Sequence, residues 1–460
     1  MTQHSSPALQ ALIRDALRLH QAGRLPEAEH IYRQALALDP FNADGLHLLG
    51  MAAFQSGRQD EAEQLLLRAI DLLPTAASYH ANLGNILQSQ GKLAQAEASY
   101  RRALELRPEQ AEVHLNLGHV LKAQGHVELA LACYQRTLAL KPDLAEAGAA
   151  ESMVLLLKGD FARGWKAFEF RWQIRGWETP MRAYPQPLWC GEQLPSARLL
   201  VWGEQGIGDE IMFAGLVPEL VRAGHRCALD CDPRLQTLFA RSFPGVEVVS
   251  GFDPHRDKEL NVAAHLPSGS LPGLFRTSLE AFARTQSPYL AADPIRRHSF
   301  RESRGGLLIG LAWHTRNRQS GPARSIDLAL FAPLFASAKA RWVSLQYGDP
   351  AVLEAEASRA SAPLLIDRSV DQLSNIDIFA AEVAAMDLVI TIDNSTAHLA
   401  AALGIPTWLL LPFAPDWRWL LDGDTSPWYP PMRIFRQPRP GDWQAVLDQV
   451  RSALEGEFPR

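Results

Sequence analysis

Polar residues that could bind an anion follow a run of residues that predicts a buried strand. The run Leu388–Ile392 is apolar and β-branched, and the polar turn 393–398 leads directly into an Ala-rich stretch of high helix propensity. Asn394 or Ser395 is a suitable N-cap for that helix. Free backbone N–H groups and the helix dipole bind phosphate at such a start, and His398 on the first turn is placed to contact the same anion. The alternative is an ordinary β–α turn with a buried histidine.

A carboxylate beside a glycine turn is the second candidate for chemistry. The run 198–202 predicts a strand, a helix is predicted over 211–223, and between them stands the string Glu204-Gln205-Gly206-Ile207-Gly208-Asp209. Because ligands bind at the carboxyl ends of parallel strands, Asp209 is placed to act as a general base for an acceptor hydroxyl. The alternative role is a helix N-cap. The glycine spacing is not the dinucleotide fingerprint and indicates only a close backbone approach.

A basic loop and an aromatic string also follow predicted strands. The loop 314–325 comes after the strand predicted within 307–313, and it leaves the same sheet edge as the 393–398 turn. Arginines there could clamp a diphosphate bidentately, the alternative being a solvated loop. The candidate binding residues of this loop are His314, Arg316 and Arg324. After the strand predicted over 408–411, Trp417 and Trp419 could stack on a base or a sugar, or pack a domain interface.

The first third of the chain repeats every 34 residues, which indicates stacked supersecondary units. One glycine, one small residue and one proline recur at this step, and apolar residues recur at helical spacing between them. The glycines are Gly23, Gly57, Gly91, Gly125 and Gly159, and the prolines are Pro40, Pro74, Pro108 and Pro142. This pattern resembles the tetratricopeptide repeat (TPR) over about residues 9–174, and the resemblance implies a concave surface that binds protein or peptide. A spacer or a dimerisation element is the alternative.

Strand and helix patterns alternate through the rest of the chain, which predicts parallel α/β sheets. The predicted fold class is therefore an N-terminal helical TPR solenoid followed by two Rossmann-like α/β domains. The predicted domains are residues 1–174 for the repeats, 175–196 for a Pro-rich linker, 197–300 for the first α/β half and 301–460 for the second.

Composition excludes several classes of protein. A net charge of −6 gives no reason to expect nucleic acid as a partner. The four cysteines are too few for a disulfide framework and lack the spacing of a zinc site. No apolar run reaches the ~20 residues of a membrane span, and the first seven residues do not resemble a signal peptide. A cytoplasmic location is therefore expected.

The two α/β halves resemble the GT-B architecture of glycosyltransferases. Gly208-Asp209-Glu210-Ile211 resembles the Gly-Asp signature of glycosyltransferase family 9, the ADP-heptose–lipopolysaccharide heptosyltransferases. The stretch 393–406 resembles that family's Asp-Thr-Gly-x-x-His-x-Ala-Ala-Ala-x-Gly-x-Pro, except that Ser395 stands where the family has glycine. The likeness covers roughly residues 197–455. The whole layout resembles bacterial TPR proteins with a family-9-like domain, and it is similar to protein O-GlcNAc transferases in joining repeats to a GT-B domain.

The resemblance implies roles for individual residues. Asp209 matches the base that activates the acceptor. The residues matching the turn that holds the donor diphosphate are Asn394, Ser395, Thr396 and His398. Asp393, Gly206 and Gly208 are further candidates for binding the nucleotide-sugar or its phosphates. The family's basic loop has no clean match, so Arg316 and Arg324 are assigned from the pattern alone.

The sequence therefore predicts an inverting, metal-independent glycosyltransferase that moves a sugar from a nucleotide-diphosphate donor to an acceptor hydroxyl. No cofactor or metal is expected, because the nucleotide-sugar is the substrate. The repeats would recruit a protein or glycan acceptor and could also form a homodimer. One alternative is a non-enzymatic TPR scaffold with a degenerate nucleotide-binding module, which the Ser395 departure favours. Another is a nucleotide-sugar epimerase of the same architecture.

Overall fold

The protein is described here from a computed structural model that covers residues 7–177, 179–317 and 321–458. Part of the predicted basic loop, residues 318–320, lies outside the described residues, as do Glu178 of the predicted linker and the first six residues. The chain forms two compact units, and the boundary between them, after Val154, falls within a helix.

The first unit is built from antiparallel helix pairs of nearly equal length, as the 34-residue period predicts. The helices are α1 Pro7–Gln21, α2 Leu25–Leu38, α3 Ala43–Gln55, α4 Gln59–Leu72, α5 Ala77–Ser89, α6 Leu93–Leu106, α7 Ala111–Ala123, α8 Val127–Leu140 and α9 Ala145–Leu157. The five turn glycines all have φ between +74° and +82°, a backbone conformation that favours glycine. The repeat period therefore reflects a turn geometry that must be copied in each unit.

Close packing of the two helices in a pair explains a further glycine that recurs in the first helix, at Gly50, Gly84 and Gly118. A Cβ atom on Gly84 of α5 would lie 2.5–2.9 Å from three ring atoms of Tyr100 in α6, and Gly118 stands in the same relation to Tyr134. Both tyrosines are fully buried. A side chain at either glycine would therefore separate the helices.

The second unit begins with the end of α9 and contains two parallel sheets. Its other helices are α10 Phe161–Phe168, α11 Ile207–Ala214, α12 Val217–Arg222, α13 Gln236–Ser242, α14 Pro272–Phe275, α15 Pro294–Arg304, α16 Gly321–Arg324, α17 Ala332–Phe335, α18 Pro350–Arg359, α19 Ile376–Val383, α20 Ser395–Ala402 and α21 Trp443–Glu457. Helix α10, which the repeat pattern includes, belongs to this unit: the Trp165 indole donates to the Arg276 carbonyl at 2.9 Å and packs edge-on against Trp417.

The first sheet has four strands in the order β3-β2-β1-β4, and the second has six in the order β10-β9-β8-β5-β6-β7. All neighbouring strands are parallel. The strands are β1 Arg198–Trp202, β2 Arg226–Asp230, β3 Glu247–Val249, β4 Val262–Pro267, β5 Leu308–Ala312, β6 Arg341–Ser344, β7 Leu364–Leu365, β8 Leu388–Ile392, β9 Thr407–Leu411 and β10 Met432–Arg436. Two parallel sheets after a helical repeat array confirm the predicted fold class, and the sheets are consistent with a GT-B-like pair.

The strand orders show where a ligand crevice should lie. In the second sheet the chain runs outward in one direction from β5 through β6 and in the other from β8 through β9, so the order reverses between β5 and β8. In the first sheet the reversal lies between β1 and β4. Crevices form at such reversals, at the carboxyl ends of the strands. The turns after β1, β5 and β8 carry most of the predicted site residues, and Trp417 and Trp419 follow β9.

Candidate functional site

A cleft of about 520 Å³ lies in the second unit, lined by residues from the turns that follow β1, β5 and β8. Most of the sequence-predicted site residues meet there. They are Gly206, Gly208, Asp209, Arg316, Arg324, Asp393, Asn394, Ser395 and His398. Residues separated by almost two hundred positions in the chain therefore share one cavity.

Four of the predicted residues do not line this cleft. His314 is exposed and lines two neighbouring cavities, and Thr396 is buried behind the turn. Trp417 is 3% exposed and packs against Trp165 and Phe168, while Trp419 is fully buried and stacks on the His398 ring. The alternative interpretation, packing between elements, therefore describes both tryptophans better than stacking on a base or sugar does.

Asp209 stands on the first turn of α11. The N-cap of this helix is Gly206, and the Asp209 backbone N–H donates to the Gly206 carbonyl at 2.9 Å. The alternative that Asp209 is itself the N-cap is therefore wrong, because the helix starts earlier than the predicted residue 211. Arg418 donates to Oδ1 of Asp209 from Nε at 3.1 Å and also from Nη2. Oδ2 forms no hydrogen bond within the described part of the chain, so this oxygen is available to accept a proton.

Arg418 connects cleft residues that follow strands of the two different sheets. It follows β9, binds Asp209 from the turn after β1, and donates from Nη1 to Oδ1 of Asp416 at 2.6 Å. Its guanidinium lies 4.4 Å from the centre of the Trp417 ring. Burial disfavours the charge, but Asp209 and Asp416 together raise the pKa of Arg418. The guanidinium is therefore a fixed positive charge in the lining of the cleft.

A second arginine extends this network. Arg324, from the basic loop, lies with Nη1 2.9 Å from Oδ2 of Asp393 and Nη2 3.5 Å from Oδ2 of Asp416. Burial raises the pKa of Asp393, and Arg324 opposes that rise. Three carboxylates and two guanidinium groups thus alternate through Asp209, Arg418, Asp416, Arg324 and Asp393.

Asn394 caps α20 and leaves one polar group without a partner. Its Oδ1 accepts from the backbone N–H groups of Thr396 at 3.0 Å and Ala397 at 3.3 Å, and from the Thr391 hydroxyl at 3.1 Å. These donors fix which end of the amide is oxygen. Asn394 is 9% exposed, and its Nδ2 has no hydrogen-bond partner among the residues that the structure describes. A buried amide donor at the cleft wall is a group that a ligand acceptor would satisfy.

His398 is a neutral side chain. Its Nδ1 lies 2.8 Å from the Tyr429 hydroxyl, and burial together with the nearby Arg418 charge lowers its pKa to about 3. In the tautomer in which Tyr429 donates to Nδ1, the opposite ring nitrogen carries a proton. A Cβ atom on Gly208 would lie 3.0 Å from Cδ2 of His398, so the glycine permits α11 and α20 to approach closely. His398 could thus offer a hydrogen bond to an anion, but not a positive charge.

Sequence reasoning missed several residues of the cleft, with Arg418 foremost. Its signal was present in the string Pro415-Asp416-Trp417-Arg418-Trp419, where an arginine beside an acid stands between two aromatic residues. Arg234, Tyr347 and Gln372 also line the cleft, and none belongs to a recognisable motif. Among the described residues, no group of three or more His, Cys, Asp or Glu side chains is arranged to hold a metal ion.

Comparisons with known proteins bear on the first unit and on most of the chain. Family models of the tetratricopeptide repeat match residues 13–77 and 111–144, and a model described as a TPR repeat matches 84–125. Protein FlbA of Caulobacter vibrioides is 31% identical over 329 residues, which are 66% of this chain and 54% of that protein. The chain thus spans about half the length of this relative. It is a TPR protein whose repeats precede a region of two parallel α/β sheets.

Solved structures similar to this chain each cover about a third of it. MamA is 24% identical with a TM-score of 0.32, covering 34% of this chain and 91% of its own. PilF of Pseudomonas aeruginosa is 22% identical with a TM-score of 0.34, covering 35% and 75%. YrrB, described as a TPR protein with an unusual peptide-binding site, is 22% identical with a TM-score of 0.31, covering 35% and 81%. Among the residues that the structure describes, no helix is both long and apolar enough to cross a bilayer.

Proposed function

We propose that this protein is an inverting glycosyltransferase that moves a sugar from a nucleoside-diphosphate donor to an acceptor hydroxyl without a metal ion. The observation that carries the proposal is the meeting of Asp209 with the 394–398 helix start in one cleft. The first group is suited to accept a proton and the second to hold an anion. The resemblance of both stretches to glycosyltransferase family 9 supports the same pairing.

In the proposed reaction, Asp209 takes the proton of the acceptor hydroxyl through Oδ2. The acceptor oxygen forms a bond to the anomeric carbon as the bond from that carbon to the phosphate oxygen breaks. The electron pair of the broken bond leaves with the diphosphate, and the configuration at the anomeric carbon inverts. The products are a glycoside and a nucleoside diphosphate.

The leaving diphosphate requires a positive environment, which the cleft can provide without a metal ion. Arg324 and Arg316 line it, and Asn394 offers an unpartnered amide beside the N-terminal end of α20. Such donors stabilise developing negative charge when they are held in place before the reaction. In this proposal the TPR array presents a protein or glycan acceptor to the cleft.

A thermal-shift panel tests donor binding. The full-length protein is melted with ADP, GDP, UDP, CDP or dTDP, each with and without magnesium. A ligand at a hundred times its Kd adds about 2.7 kcal/mol to the stability of the unit that binds it, which corresponds to a few degrees. We expect one diphosphate to raise the melting temperature without magnesium. If none does, the scaffold alternative replaces the enzyme.

The substitution Asp209→Asn tests the role of the base. Asparagine has nearly the same shape but cannot take the acceptor proton, so we expect kcat to fall by about 10²-fold or more. Binding of the active nucleotide, measured by calorimetry, should be retained. A variant that turns over at the wild-type rate would show that Asp209 is not the base.

A further inference from the structure

Arg418 has its hydrogen-bonding groups occupied by carboxylates of the protein itself. Nε and Nη2 both donate to Oδ1 of Asp209, and Nη1 donates to Oδ1 of Asp416. Both acids and the arginine line the cleft. The side chains are largely buried, with 13% of Arg418 and 17% of Asp209 exposed, so this ion pair is screened less by solvent than a surface pair would be.

The same guanidinium is suited to a different anion. Arginine binds phosphate bidentately, and a diphosphate carries more negative charge than one carboxylate. The pair Asp209–Arg418 stands beside the 394–398 turn, where the unpartnered Nδ2 of Asn394 lies. An anion that reaches this amide would therefore enter the field of Arg418 and compete with Asp209 for it.

Competition would also change Asp209. An arginine within hydrogen-bond distance stabilises a carboxylate in its charged form and makes it a weaker base. When the guanidinium turns toward another anion, Asp209 loses its hydrogen bonds from Arg418, and Oδ1 as well as Oδ2 can then contact an acceptor hydroxyl. Coupling of this kind is reciprocal, so loss of the Asp209 charge must strengthen anion binding by the same factor.

We propose that Arg418 is the anion-binding residue of this cleft, and that Asp209 and Arg418 mask each other until a diphosphate separates them. This inference rests on the proposed function. The diphosphate donor binds first, draws Arg418 away, and so frees Asp209 to deprotonate the acceptor that binds second. The ion pair thereby links the release of the Asp209 carboxylate to the presence of the donor.

Inorganic pyrophosphate is the probe, and its Kd is measured by calorimetry on the full-length protein. We expect Asp209→Asn to bind pyrophosphate at least about five-fold more tightly than wild type, because the competing charge is gone. Arg418→Gln should bind pyrophosphate at least about ten-fold more weakly than wild type. The affinity of Arg418→Lys should lie between those of wild type and Arg418→Gln. The control is Arg439→Gln, whose side chain is 82% exposed and pairs with Asp442 on the surface. It should match wild type.

The sign of the Asp209→Asn effect separates competition from a structural role. If the ion pair only holds the fold together, both variants should weaken anion binding and lower the melting temperature. The inference is overturned if Asp209→Asn binds pyrophosphate no more tightly than wild type does, or if neither protein binds it. Either result holds even if Arg418→Gln fails to fold. A tighter affinity supports it even where no nucleoside diphosphate binds. The inference and the proposed function can therefore fail separately.

Discussion

At the scale of single residues, Asn394 combines a structural and a binding role in one side chain. Its oxygen caps α20 while its amide nitrogen has no partner among the described residues. The N-cap preference for Asn, Asp or Ser is visible in sequence, but all three types satisfy it about equally. What distinguishes asparagine here is the donor that remains after capping. Substitution by aspartate therefore separates the two roles.

We expect Asn394→Asp to retain the fold and lose donor binding. The remaining oxygen still accepts from Thr396 and Ala397, and a negative charge is favourable at a helix N-terminus. The same charge repels a diphosphate and removes its donor, so the Kd of the active nucleotide should rise by about ten-fold or more. Calorimetry measures the Kd, with the melting temperature as the control. Unchanged affinity would show that the diphosphate does not reach this amide.

Glu210, next to the proposed base, has a different role from Asp209. Its carboxylate fills the space where Gly203 has no Cβ, and it accepts the backbone N–H of Asp232 at 2.9 Å. Burial raises the pKa of Glu210 to about 7, and the backbone hydrogen bond opposes this. Between about pH 4.5 and 7 the folded protein therefore holds a proton that the unfolded chain releases. Stability falls as the pH rises through this range.

The substitution Glu210→Gln should remove the loss of stability that ionisation of Glu210 causes at high pH. Glutamine keeps the hydrogen bond to Asp232 and stays neutral, so we expect the variant to melt about 2 °C or more above wild type at pH 8. Near pH 4.5 the two proteins should melt at the same temperature, which serves as the control. Comparison of the variant with wild type at each pH cancels the contributions of the other titrating groups, which the two proteins share. A difference that grows as the pH falls would contradict the assignment.

Residue identities in the cleft were predictable where a motif carried them. Asp209 and Asn394 each lie in a strand–turn–helix pattern, close to the start of the helix, so their position predicted that they would face a common crevice. Arg418 was missed because its role depends on a carboxylate 209 positions away, which no local pattern reveals. For Trp417 and Trp419 the sequence left stacking on a ligand and packing both open, because large aromatic residues serve either purpose, and in the structure both side chains are buried.

At the scale of elements, buried strands were predicted well and helix boundaries less so. The apolar runs predicted β1, β5, β8 and β9, because a strand covered on both faces is apolar throughout. Strand β10, at the edge of the second sheet, was not predicted, because two arginines interrupt its apolar residues. The helix predicted over 211–223 begins at Ile207 and is interrupted after Ala214. The sequence predicts a turn at the glycines, whereas Gly208 lies inside α11.

A buried ion pair fixes the segment after α10 to the first sheet. Arg171 donates to both oxygens of Glu204, at 2.9 and 2.8 Å, and both side chains are fully buried. Glu204 also accepts the Gly269 N–H at 2.9 Å, and the Arg171 guanidinium lies 4.2 Å from the Trp172 ring. Removal of one charge leaves the other buried without its partner, which typically destabilises a protein by about 3–5 kcal/mol.

We therefore expect Arg171→Met to lower the melting temperature by about 5 °C or more. The double variant Arg171→Met with Glu204→Leu should lose less than Arg171→Met alone, because no unpaired charge remains. The control is Arg451→Met, which removes an exposed pair with Asp448 and should change stability by less than about 0.5 kcal/mol. If Arg171→Met behaves like the control, this pair does not anchor the segment.

At the scale of the whole molecule, the chain combines a repeat array with an α/β unit that holds the cleft. The repeats contain a line of polar side chains that runs from first helix to first helix. Asn82 in α5 donates to the His47 ring in α3 at 2.8 Å, and Asn116 in α7 donates to Asn85 in α5 at 3.0 Å. These side chains are only half-buried, so they can also contact a partner. In the proposed function, these side chains contact the acceptor.

Substitution of Asn82 and Asn116 together by alanine should separate acceptor transfer from donor use. We expect incorporation of labelled sugar into macromolecular acceptors of a cell extract to fall by about five-fold or more, which corresponds to about 1 kcal/mol of lost binding. Donor affinity and hydrolysis of the donor by water should stay at the wild-type level, because the cleft residues are untouched. The control is Arg68→Ala, an exposed position on a second helix. If incorporation is unchanged in the double variant, the acceptor binds elsewhere, and the repeats serve as a spacer or a dimerisation element.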